Sequence, residues 1–170
     1  ASIKSILILI FYIATSSSFA DNRISILKIN GKVQISSDMK VWVDVKKPQK
    51  IENKTWLKTG KSASVVLVLP DRTQTKVTRN STLFLEKKPK KKQSINLKLG
   101  KIWAKTNKIP VKISLKSPNA VASIRGTEWV SEVKADGSSV IALLEGKVSI
   151  ASNKNKNINL NSGSVANIDE

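Results

Sequence analysis

From residue 24 onward, apolar and polar positions alternate with a period of two. Ile24 and Ile26, then Val33 and Ile35, are separated by polar neighbours, and Val41, Val43 and Val45 alternate with Trp42 on the opposite face. The same pattern returns at Thr73, Thr75 and Val77, at Leu83 and Leu85 around Phe84, and at Ile95, Leu97 and Leu99. It appears again at Val111, Ile113 and Leu115, at Val148 and Ile150, and in two short final runs, Ile158 with Leu160 and Val165 with Ile168. Successive side chains of an extended strand point to opposite faces, so each run predicts a strand with one buried face. Two runs, residues 65–69 and 140–144, are apolar at every position. Such runs predict strands covered on both faces. No window of a dozen residues carries an apolar stripe at helical spacing, so little or no helix is expected.

Turn residues divide these runs. Asp136-Gly137 is a tight hairpin signal, because this pair accepts the positive φ angles that such turns need. A short unit recurs as Gly31-Lys32-Val33, Gly100-Lys101-Ile102 and Gly146-Lys147-Val148. The separations of 69 and 46 residues exclude a regular solenoid. They fit layered strands reached by similar turns. Residues 86–93, with Glu86, Pro89 and five lysines, read as an exposed charged loop. The fold expected is all-β: short layered strands forming an elongated roll, either β-helix-like or a jelly-roll-like sandwich, between which periodicity does not choose.

The first twenty residues change the picture of where this domain works. Lys4 precedes an apolar stretch over residues 6–14, and Ser18-Phe19-Ala20 places small residues at the positions a signal peptidase reads. The stretch is shorter than the roughly 18–20 residues of a membrane span. The expectation is a cleaved secretory signal over residues 1–20 and one β domain over residues 21–170, periplasmic or otherwise exported, without a spanning segment in the mature chain.

Composition then removes whole classes of chemistry. The chain has no cysteine and no histidine. Disulfides, thiolate or imidazole metal sites and an acylated cysteine are therefore excluded, and no cofactor is expected. Glu128 and Glu132 share a strand face but stand about 13 Å apart at about 3.3 Å per residue. Glycosidase carboxylates are separated by roughly 5–9.5 Å. No serine occupies a nucleophile elbow, so an enzyme is not expected. The net charge is +18, and Lys4 is the only charged residue among the first twenty, which leaves +17 on residues 21–170. Such a chain attracts polyanions, with Lys87, Lys88, Lys90, Lys91, Lys92 and Arg125 as candidate contacts. Export would keep it away from nucleic acid, so anionic envelope polymers are the expected polyanions. Trp42, Trp56, Trp103 and Trp129 are candidate anchors for a partner, although large aromatics in a β protein more often fill the core.

The sharpest motif is Ser117-Pro118-Asn119-Ala120, followed by Ile124-Arg125-Gly126-Thr127-Glu128-Trp129 and then Leu143-Leu144-Glu145-Gly146-Lys147-Val148. Turn chemistry accounts for its centre: Gly126 is expected to kink the backbone at positive φ, Arg125 to fork onto Glu128 or Glu145, and Thr127 to bond the turn. A functional alternative is an anion-binding corner in which Arg125 grips a carboxylate or phosphate.

This series resembles the FecR domain family, the ferric-citrate-regulator-like extracytoplasmic domains. Gly31-Lys32-Val33 with Trp42, Leu57-Lys58-Thr59-Gly60 and Leu99-Gly100-Lys101-Ile102 extend the likeness over roughly residues 24–168. Arg72 stands where the family often has glycine, and Trp129 where it usually has phenylalanine. The spanning helix and cytoplasmic segment of sigma-factor-regulating members have no counterpart in this pattern, so direct anti-sigma activity is not implied. The resemblance implies a non-enzymatic binding, scaffolding or signalling module of the cell envelope, partnered by another envelope protein. The alternative is a basic polyanion-binding protein that contacts anionic glycolipid or a membrane surface.

Overall fold

The structure, a computed structural model, describes residues 21–88, 92–106, 111–154 and 156–169. The proposed signal over residues 1–20, together with Pro89, Lys90 and Lys91 of the lysine run, lies outside the described residues.

The regular structure of the described residues is entirely strand: β1 (Ile24–Asn30), β2 (Val33–Ser36), β3 (Val43–Asp44), β4 (Gln49–Ile51), β5 (Thr55–Thr59), β6 (Ser64–Val68), β7 (Gln74–Val77), β8 (Thr82–Lys88), β9 (Lys92–Lys105), β10 (Val111–Lys116), β11 (Ala120–Val133), β12 (Ser139–Ser152), β13 (Asn157–Asn161) and β14 (Ser164–Ile168). Pairing divides them into two layers. The first runs β4-β1-β6-β7-β9-β11-β12-β14. The second runs β3-β2-β5-β8-β9-β10-β11-β12-β13. The 14-residue strands β9, β11 and β12 belong to both layers, so the sheet folds back on itself as a barrel-like sandwich. Strands that switch sheets need a bend or bulge at the corner. The three recurrent Gly-Lys units supply these passages: Gly31 between β1 and β2, Gly100 within β9 and Gly146 within β12.

The expected all-β class is what the chain adopts, with no helix among the described residues. Described strands pair antiparallel except β9 with β10, which favours the sandwich over a β-helix, whose coils stack strands in parallel. Most inward positions are those read from the alternation, but Val41 and Val43 are exposed, as are Leu99 and Val165. Ile26, Leu67, Val77, Ile102, Trp129 and Leu143 of the first layer form one buried cluster with Leu57, Leu83, Leu97, Ile113, Ile124 and Val148 of the second.

Two local expectations need correction. Neither continuous apolar run is covered on both faces. Val65 and Leu67 are buried while Val66 and Val68 are half-buried, and Ile141 and Leu143 are buried while Val140 and Ala142 are half-buried. The reason is topological: each run lies in an outer layer of the sandwich, and no further layer packs on its second face among the described residues. The described ends of the charged segment 86–93 are also strand rather than loop. Glu86, Lys87 and Lys88 pair with Ser94, Gln93 and Lys92, because the buried Gln93 amide donates to the Glu86 carbonyl (3.1 Å) and holds the hairpin together.

Candidate functional site

The motif centred on Arg125-Gly126 forms the corner where β11 and β12 pass together from one layer to the other. Gly126 and Gly146 stand directly opposite each other, and the register shifts between Gly126 and Glu128. Gly146 has φ +128, and a Cβ there would reach within 2.5 Å of the Arg125 carbonyl oxygen and collide with Gly126 Cα. A Cβ on Gly126 would collide with the Glu145 carbonyl oxygen and lie 3.3 Å from Gly146 Cα. The expectation of a positive-φ kink at Gly126 is therefore corrected. Close backbone approach requires glycine there, and the unusual φ belongs to its partner Gly146.

The same corner separates the side chains expected to pair. Arg125 is exposed on the outer side of the second layer, between Lys112 of β10 and Lys147 of β12. The shift turns Glu128 onto the outer side of the first layer, opposite Lys105. There its carboxylate accepts the Trp103 indole N–H (3.0 Å) and pairs with Lys105 (3.2 Å). The predicted fork from Arg125 to Glu128 or Glu145 is not formed. The side chain of Thr127 lies outside what the structure describes.

Asn119, quoted in the motif but given no role from sequence, is the polar centre of one end of the sandwich. Its buried amide donates to the Ile168 carbonyl (2.7 Å) and accepts from the hydroxyls of Ser139 (2.8 Å) and Ser117 (3.0 Å). The final strand β14 is thereby tied to the β10–β11 turn. The only sequence signal was an amide beside Pro118, and its long-range partners are invisible to local pattern.

The two outer surfaces differ in character. On the first layer, Trp103, Val130, Ala142 and Val165 stand in one cross-strand row over β9, β11, β12 and β14. Trp103, Val130 and Ala142 are half-buried, Val165 is 58% exposed, and Leu144 beside them is 48% exposed. The ion pairs Lys105–Glu128 and Lys101–Glu132 (4.0 Å) border this stripe. On the second layer, a concavity of about 620 Å³ is lined by Lys88, Lys112, Arg125 and Lys147, with serines between them. Two of the predicted anion contacts, Lys88 and Arg125, are thus brought together. Lys87 is half-buried at the hairpin, and the side chain of Lys92 lies outside the described residues, as do Lys90 and Lys91. Of the four tryptophans, only Trp129 is fully buried; Trp42 and Trp56 are half-buried beneath the ammonium groups of Lys58 and Lys98.

The carboxylates with altered acidity lie away from both surfaces. Hydrogen bonding to the side chains of Arg23 and Lys50 holds Asp21 well below the usual carboxylate range. The backbone amides of Lys40 and Val41 lower Asp38, and the hydroxyl and amide of Ser138 lower Asp136. Among the described residues, no three acidic side chains gather into a metal-binding group.

The comparisons with known proteins agree with this architecture. Two crystal structures of a candidate anti-sigma factor from Parabacteroides distasonis ATCC 8503, at 2.50 and 1.65 Å resolution, share the fold. Each aligns with a TM-score of 0.55 at 10% identity, over 68% of this chain and 59% of the other. This chain therefore spans about three-fifths of that protein's length, and at such identity the likeness is one of fold. No curated protein matches the sequence. The family model described as FecR protein matches residues 55–149, from β5 into β12, and so takes in the glycine corner, the basic concavity and the apolar stripe except Val165. With more than half its length matched, the chain belongs to the FecR protein family.

Proposed function

We propose that this protein is an exported, non-enzymatic regulatory module of the cell envelope that passes on a signal by binding another envelope protein. The docking surface is the stripe Trp103–Val130–Ala142–Val165 on the first layer. The observation that carries this reading is the incompletely covered second face of the two runs that are apolar at every position, beside the exposed Val165 and Leu144. Solvent is a poor complement to Val66, Val140, Ala142 and Val165, and a contiguous apolar stripe rimmed by charges is a common mark of a protein interface. Trp103 supplies an aromatic anchor, held in place by its bond to Glu128. Family membership supports regulation over catalysis. The short strands β13 and β14 at one end add backbone groups with which a partner's strand could pair. The secretory pattern of residues 1–20 supports export.

The test is affinity capture from a native envelope extract with wild-type, Trp103→Ala and Val165→Asp proteins. The expected result is a discrete protein retained by wild type at high salt and lost by about tenfold or more with either variant. Equal capture by all three would refute the assigned surface, and the absence of any salt-resistant protein would refute the protein-partner reading.

A further inference from the structure

We propose that the outer groove of the second layer binds an acidic polysaccharide, a chain carrying carboxylate or sulfate groups among free hydroxyls. This site is separate from the protein-docking stripe and stands or falls independently of it.

Charge along the groove is unbalanced. Lys112, Arg125 and Lys147 are direct cross-strand neighbours on β10, β11 and β12. Like charges placed opposite one another destabilise a sheet. On the first layer β9 and β11 set opposite signs side by side, with Lys105 opposite Glu128 and Lys101 opposite Glu132. On the second layer, none of the three cations forms an ion pair among the described residues. The exposed Glu145, two residues before Lys147 at the corner, forms no ion pair among the described residues, and beyond it the nearest acid by register is Glu86, three strands from Ser123. That is about 14 Å at about 4.8 Å per strand. A row of like charges with no ion-pair partner of its own attracts an external anion.

The groove is long as well as cationic. The 620 Å³ concavity adjoins a second one of about 390 Å³, lined by Asn96, Lys98 and Lys116 and sharing Val121 with the first. From Arg125 to Val121 the groove follows β11 for four residues, about 13 Å. Cations are spread along this length, which suits a chain better than a compact anion. Between them lies a polar row: Ser94, Ser114, Ser123 and Ser149 are successive neighbours across β9, β10, β11 and β12, and the Ser149 hydroxyl bonds Asn159 of β13 (2.9 Å). Hydroxyls and amides that both donate and accept complement sugar hydroxyls.

Other polyanions fit less well. Anionic bilayers favour a surface with large apolar or aromatic side chains to insert, and Val121 is the one exposed large apolar side chain of this groove. Single-stranded nucleic acid uses open aromatic faces. The aromatic pair nearest the groove, Trp56 and Phe84, is tilted and already holds Lys98 over the Trp56 ring at 5.0 Å.

The test is titration of the full chain with a heparin oligosaccharide, which carries both carboxylate and sulfate, by calorimetry at two salt concentrations. Single-stranded DNA, anionic vesicles and neutral dextran serve as comparison ligands. The expected result is binding that weakens with salt and falls about tenfold or more in Arg125→Glu, with Val165→Asp unchanged. Arg125→Glu should melt no lower than wild type, because it relieves the like-charge row, and Lys147→Gln gives a second, milder variant. Unchanged heparin affinity in both groove variants would overturn the site. Tighter binding of DNA or vesicles through the same residues would overturn the choice of ligand.

Discussion

Replacing Gly146 by alanine tests the corner on which the molecule turns. The added Cβ meets two obstacles. The backbone sits at φ +128, outside the region L-residues occupy readily, which costs about 1–3 kcal/mol. The Cβ also runs into Gly126 Cα and the Arg125 carbonyl, backbone atoms that no rotamer change can move aside. Forcing extra volume into a packed site costs roughly another 1–3 kcal/mol. The sum is about 4 kcal/mol at mid-range. For a domain of this size, each kcal/mol lowers the melting temperature by about 2–4 °C, so a drop on the order of 8–16 °C is expected. Gly163 provides the control. It also has positive φ, +80, but a Cβ there meets nothing within 4 Å. Gly163→Ala keeps only the conformational cost, about 1 kcal/mol, and a drop of a few degrees. Thermal unfolding followed by circular dichroism separates the two. Equal drops in both variants would refute the claim that close approach of β11 and β12, rather than φ alone, requires the glycine.

Asn119→Ala should destabilise by about 2–4 kcal/mol in denaturant titration, because it strands the Ile168 carbonyl and the Ser139 hydroxyl in buried surroundings; a loss under about 1 kcal/mol would show that β14 is held by other contacts. Trp129→Phe should cost less than about 1.5 kcal/mol, since the buried indole N–H has no protein partner to lose among the described residues; a larger loss, read from the same titration, would mean that ring volume dominates. Asp136 has its acidity strengthened by Ser138, so its folded value lies below the ordinary 3.8. A lowered value contributes stability above the unfolded value, and this is lost as pH falls through the folded one. The gap in melting temperature between wild type and Asp136→Ala should therefore be present at neutral pH and shrink below about pH 4; a gap constant down to strong acid would refute the role of the ionised carboxylate.

Much of the fold was legible because alternation reports burial directly. Ile24, Leu83, Leu97 and Ile113 lie inside where the period of two placed them. The recurrent Gly-Lys units also held meaning, since a chain that crosses between layers needs a similar bend each time. What local pattern could not show was the pairing of the long strands. The register shift after Gly126 sends Arg125 and Glu128 to opposite layers, so two residues three apart never meet. Likewise, apolar runs at 65–69 and 140–144 do not say what covers their second face. The row Lys112–Arg125–Lys147 draws on three segments up to 35 residues apart in sequence and exists only through register.

The folded molecule sorts its surface chemistry by layer: apolar residues with balanced ion pairs on one side, unbalanced cations and hydroxyls on the other. Both surfaces depend on β9, β11 and β12 crossing the corner intact, which links the family motif to function without giving its residues a catalytic role.

The most direct test of the central claim is site-specific photo-crosslinking in living cells, with a crosslinking residue placed at Val165 on the first layer or at Asn161 on the second. The account predicts a single discrete protein adduct from position 165 and none from position 161. Adducts of the same pattern from both positions, or none from position 165, would contradict a dedicated protein-docking surface on the first layer.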